Sequence, residues 1–170
     1  MLITSCTSLN NNSITDTENR LNTIVHNPQS MTNSLKKLDH NFKVSLIYNG
    51  VENANYTRFV ALELESTPVI VAISSTKLSN RTFLNILSQA HNNSIGTQLF
   101  AKNSKIKRDP NMQINNIIIS QIQSKIVYDY LNNIGYKSDQ TIIERISSFY
   151  YKNEDMQLTE YILPKIKDFL

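Results

Sequence analysis

Residues 57–76 carry the pattern that most limits the fold. The run from Thr57 to Leu64 alternates around Val60, Leu62 and Leu64, and the run PVIVAISST follows from Pro68 to Thr76. Only Glu65-Ser66-Thr67 lies between them, a length that suits a tight hairpin. Phe42, Val44, Leu46 and Tyr48 alternate with mostly polar neighbours and predict an earlier strand, which Asn49-Gly50 should end. Two further strands are predicted at about 142–151 and 156–163, joined by Asn153-Glu154-Asp155, and another near Gln113 to Ile119. Helical spacing occurs after the Thr15-x-x-Glu18 capping box as far as His26, after Ser30 (Met31, Leu35, Leu38), from Ser79 or Asn80 (Phe83, Ile86, Leu87, Ala90) and from Ile122 to Leu131, ending at Gly135. Several hairpin-linked strands with a few helices predict an α+β fold, an antiparallel sheet with flanking helices. Three glycines and no Gly-rich phosphate loop exclude a Rossmann-type domain. No repeat or linker divides the chain. Residues 1–12, with Asn10 to Asn12, are expected to form a flexible tail, and 13–170 a single domain.

Two charges stand in the apolar rows of these strands. Side chains alternate faces along a strand. Arg58 is in phase with Val60, Leu62 and Leu64, and Glu160 with Met156, Leu158 and Ile162. An unpaired buried charge is costly, so each needs a partner. Parity alone leaves two readings open. One is structural: the two form an ion pair, or the strands expose them after all. The other is a buried polar pocket in which the guanidinium forks onto a ligand carboxylate and Glu160 accepts a ligand hydroxyl proton.

Other chemistries find less support. His26, His40 and His91 are far apart, with no metal-ligand spacing, and the single Cys6 excludes a cysteine-based zinc site. No Gly-x-Ser-x-Gly elbow is present. Net charge is +3, and the basic clusters Lys36-Lys37 and Lys105 to Arg108 read as solvated faces, too sparse for a nucleic-acid surface. No apolar run is long enough to span a membrane. Ile3-Thr4-Ser5-Cys6 is similar to a lipoprotein cleavage box, but only five residues precede the cysteine, too few for a signal peptide. The expectation is therefore a cytoplasmic protein, with lipid anchoring through Cys6 as the alternative if the start is truncated.

Four short motifs, in order, resemble bacterial chorismate lyase. Gln29-Ser30-Met31-Thr32 is similar to the family's Asp-Ser-Met-Thr. Arg58 stands ten residues before Pro68, as the family's ligand-binding Arg precedes its Pro. Ile95-Gly96-Thr97-Gln98-Leu99-Phe100 resembles Leu-Gly-x-x-Leu-Phe, and Leu158 to Pro164 (LTEYILP) resembles the closing Leu-Thr-Glu-x-Phe-Leu-Pro. The resemblance runs from about Ser30 to Pro164. Ala72-Ile73 stands where the best-known members have Gly-Arg, Lys77 stands where a Pro is expected, and about two dozen extra residues fall around 117–139. Arg145 aligns, across a gap, with a family Arg before the last hairpin.

The resemblance implies a pocket closed off from water by loops. In it Arg58 would bind a ring carboxylate and Glu160 the hydroxyl or ether end, completed by Met31 and the backbone around Ile95. It implies Arg58 and Glu160 as catalytic residues, no metal or cofactor, a monomer, and conversion of chorismate to 4-hydroxybenzoate and pyruvate for ubiquinone biosynthesis. The alternative is a non-catalytic or divergent small aromatic-acid-binding protein of the same fold, with a lipid-anchored form included. The fold also serves as the effector-sensing half of transcription regulators. Fewer than 30 residues precede the first motif here, so a DNA-binding domain is not expected.

Overall fold

The computed structural model describes residues 9–170, with side chains from residue 15 onward. Cys6 and most of the expected tail lie outside the described residues. Helix α1 (Leu9–Val25) already includes residues 9–12, so Thr15 sits inside the helix and does not cap its start. Helix α2 (Met31–Leu38) follows Ser30. Strands β1 (Lys43–Glu52), β2 (Asn55–Leu64) and β3 (Thr67–Lys77) form a meander, followed by α3 (Arg81–Gln89) and the single turn α4 (Gly96–Leu99). Next come the two-residue β4 (Lys107–Arg108), β5 (Gln113–Ile118), α5 (Lys125–Asn133), β6 (Thr141–Tyr151) and β7 (Glu154–Ile162).

The seven strands form one sheet in the order β1-β2-β3-β7-β6-β4, with β5 also pairing with β6, and every pairing is antiparallel. With helices flanking it, this is the predicted α+β architecture. Two hairpin turns differ from expectation. β1 runs through Asn49-Gly50 to Glu52, because Asn53 (φ 49°) and Ala54 (φ 63°) both adopt the left-handed conformation that a two-residue primed turn requires. Likewise β6 and β7 turn at Lys152-Asn153, and Glu154 and Asp155 belong to β7.

The sheet is covered on both faces. Leu21, Ile24, Val25, Met31 and Leu35 of α1 and α2 pack on Val60, Leu62, Ile70 and Ile162. Phe83, Ile86 and Leu87 of α3 extend that cover over Phe149 and Met156. On the opposite face Val127 and Leu131 of α5 pack on Phe59, Ala61, Val71 and Tyr161. Residues 117–139 therefore supply only the end of β5 and a back-face helix. They do not rebuild the surroundings of Arg58 and Glu160, which point to the other face.

Candidate functional site

The front face places its polar residues in register across four strands. Arg58 pairs with Ser74, Ser74 with Leu158, and Leu158 with Ser147. One row further along lie Val60, Ala72, Glu160 and Arg145. Neighbouring strands are about 4.8 Å apart, so Arg58 and Glu160 stand on strands roughly 10 Å apart with only β3 between them. Both are buried, with relative exposures of 2% and 5%. Together with Met31 from α2 and Ile95 before α4, they line one cavity of about 40 Å³. All four residues singled out in the sequence thus border the same space.

Arg58 and Glu160 do not pair with each other. Arg58 donates through Nη2 to the carbonyl oxygens of His91 and Asn93, each at 2.8 Å, and its buried Nε has no partner. Burial lowers its pKa to about 10, so it stays charged at neutral pH. The cation beside Glu160 is Arg145, whose Nη1 lies 3.5 Å from Oε2. That distance gives Coulombic attraction without a hydrogen bond, and Oε2 is buried without a partner. Burial therefore outweighs Arg145 and Arg108 and holds the Glu160 carboxyl above its ordinary value of 4.5.

Arg108 and Arg145 complete the charge set. Arg145 donates to the carbonyls of Asn27 (2.9 Å) and Gln29 (3.4 Å) and contacts Met112 Sδ at 2.8 Å. Arg108 donates to Pro28 O (2.7 Å) and to Ser147 Oγ, and its guanidinium lies over the rings of Phe100 and Phe149. Its Nε, too, is buried and unpartnered. Burial and the neighbouring Arg145 lower its pKa to about 10. The run Lys105 to Arg108 is thus solvated at Lys105 and Lys107 but not at Arg108, which β4 turns into the cavity. Arg145 was legible by parity, since it shares a face of β6 with Ser147 and Phe149. Arg108 sits in a strand too short to show any period.

The cavity wall at α4 depends on Gly96. A Cβ there would collide with Ser30 Oγ and come within 3.2 Å of Ser94 Oγ. Ser94 in turn bonds Thr32 Oγ1 at 2.7 Å, joining this wall to α2. Among the described residues no group of His, Cys, Asp or Glu is placed to hold a metal ion, and no helix is long and apolar enough to cross a membrane.

No family model and no curated protein matches the sequence. Solved structures do share its architecture. The C-terminal domain of the histidine utilization repressor from Pseudomonas syringae pv. tomato superposes with a TM-score of 0.50, over 73% of this chain and 92% of its own, at 7% identity. The ligand-binding domain of a protein described as a GntR-family transcriptional regulator, from Bordetella bronchiseptica, gives 0.50 over 74% and 87% at 8% identity. A gene product of Staphylococcus aureus gives 0.52 over 84% and 92% at 7% identity. The fold is chorismate lyase-like. At such low identity the likeness establishes the fold alone.

The raised Glu160 value has a consequence for stability. Between about 4.5 and its higher value in the fold, native Glu160 keeps a proton that the unfolded chain has released. Stability from this group is present at low pH and is lost as pH rises through the folded value. Glu160→Gln carries no such proton. The midpoint of thermal unfolding of the variant, relative to wild type, is expected to climb as pH rises from about 4.5 through the raised Glu160 value. A pH-independent difference would show that Glu160 ionises alike in both states.

Proposed function

We propose that residues 13–170 form one domain that binds a small aromatic carboxylate in this cavity, as a non-catalytic or divergent member of the fold. One observation carries the reading. Three residues that line the same cavity, Arg58, Arg108 and Glu160, each carry a buried polar atom without a hydrogen-bond partner: Nε, Nε and Oε2. Buried polar groups are almost always hydrogen-bonded, and a ligand with an anionic end and a hydroxyl end supplies what these atoms lack. Arg58 takes the carboxylate, Glu160 the hydroxyl, and Met31 and the Ile95 backbone wall the ring. A structural neighbour described as a ligand-binding domain supports the same use of the fold.

A second reading, chorismate lyase activity, is favoured by Glu160 alone. A buried carboxyl whose pKa is raised by burial can donate to the ether oxygen as enolpyruvate leaves. One pair of measurements separates the two. Isothermal titration with 4-hydroxybenzoate is expected to show one site per chain, and incubation with chorismate is expected to release no 4-hydroxybenzoate beyond the spontaneous rate. Enzymatic release would replace the first reading by the second, and absence of binding would overturn both.

A further inference from the structure

The cavity shares a wall with an open depression on the surface. Val44 and Ser94 line both, and the depression adds Lys36, Lys43, Asn92 and Asn93. The partition is the edge of β1 together with the segment His91–Ser94. Within its own loop that segment is held by Asn93 N–H donating to Ala90 O (2.7 Å), Gly96 N–H to Ser94 Oγ (3.1 Å) and Thr97 Oγ1 to Ser94 O (3.0 Å), and four bonds tie it to the rest of the fold. Asn92 Oδ1 accepts from Leu46 N–H on β1 at 2.9 Å, Ser94 Oγ bonds Thr32 Oγ1, and the His91 and Asn93 carbonyls accept from Arg58 Nη2. His91 is held at φ 42°, a region non-glycine residues rarely occupy.

The valence of the guanidinium now matters. A forked carboxylate takes either Nε–H with the adjacent Nη2 hydrogen, or one hydrogen from each Nη. Both forks need Nη2. Nη2 has two hydrogens and two carbonyl acceptors at 2.8 Å. Nε has none. A carboxylate that reaches Nε completes its fork only by taking a hydrogen from His91 or Asn93. We propose that carboxylate capture by Arg58 unlatches the His91–Ser94 segment and opens the cavity toward the depression, where Lys36 and Lys43 receive the incoming anion. The proposal rests on the carboxylate-binding reading.

Space points the same way. A cavity that holds benzene is about 150 Å³, and this one is about 40 Å³. A ring does not fit unless a wall yields, and this wall is the one whose fastening the ligand competes for. Lys36 and Lys43 are exposed, and no acidic side chain lines the depression. Exposed cations of this kind raise the arrival rate of an anion.

The test is hydrogen–deuterium exchange of the full chain, free and saturated with 4-hydroxybenzoate or with its neutral isostere, 4-hydroxybenzyl alcohol. Amides of residues 91–94 are expected to exchange several-fold faster with the acid and unchanged with the alcohol. Asn92→Ala, which loosens the latch from outside the cavity, is expected to speed both association and dissociation of 4-hydroxybenzoate several-fold. Lys36→Glu/Lys43→Glu is expected to slow association and leave dissociation unchanged. Measurable binding with slowed or unchanged exchange at 91–94 overturns the gate while leaving the binding reading intact. No binding by calorimetry overturns both.

Discussion

Arg145→Ala is expected to destabilise the fold by about 3–5 kcal/mol, the usual cost of removing one member of a buried ion pair. Arg145 is the largest fully buried side chain among the described residues. Its loss leaves Glu160 without its nearest cation and the carbonyls of Asn27 and Gln29 without their donor. Those carbonyls belong to the link between α1 and α2, so the helical cover of the front face loosens with the site. For a chain of this size the melting temperature should drop on the order of 10 °C, read by calorimetry or circular dichroism. Glu160→Gln in the same background removes the stranded carboxylate and is expected to recover part of the loss at neutral pH. A single-variant loss below about 1 kcal/mol would mean that water or another cation already serves Glu160.

Arg58→Ala is expected to weaken binding of 4-hydroxybenzoate about 100-fold. Hydrogen bonds to charged groups contribute about 1.5–3 kcal/mol each, and 1.4 kcal/mol is tenfold in affinity. Arg58→Lys keeps the charge but cannot fork, and should fall between wild type and alanine. Two effects can be separated here, because Arg58 also holds the His91 and Asn93 carbonyls. A variant that melts like wild type yet binds poorly has lost the clamp. An unchanged affinity by titration calorimetry in Arg58→Ala would remove Arg58 from the site.

The sheet was legible because its strands are long and alternate cleanly. Arg58 and Glu160 could be placed on the front face by parity, since each interrupts a row of branched apolar residues in a ten- or nine-residue strand. Their partners could not be placed, because pairing depends on which strands lie adjacent, and β7 inserts between β3 and β6. Glu160 thereby meets Arg145 across one ladder and faces Ala72 across the other. Arg108 was hidden in a basic run whose other members are solvated. The turn at Asn53-Ala54 was masked by the stronger Asn49-Gly50 signal, although Gly50 is simply paired with Thr57. Residues 117–139 gave a helix pattern but no sign of which face it covers, a matter decided by Val127 and Leu131 meeting Phe59 and Tyr161.

Placing Arg58 on β2 and Glu160 on β7, with the single strand β3 between them, makes the sheet a ruler for whatever it holds. The span between the two groups combines two strand widths of about 4.8 Å with an offset of one row along β3, so it cannot be tuned by small backbone shifts without breaking a ladder. Fine adjustment is left to the side chains that β3 raises into the gap, Ala72 and Ser74. Ala72 lies beside Glu160 in the ladder. Enlarging it to valine would shorten the measured length at the Glu160 end alone, turning a ligand-length preference into something a single methyl-bearing side chain can reset.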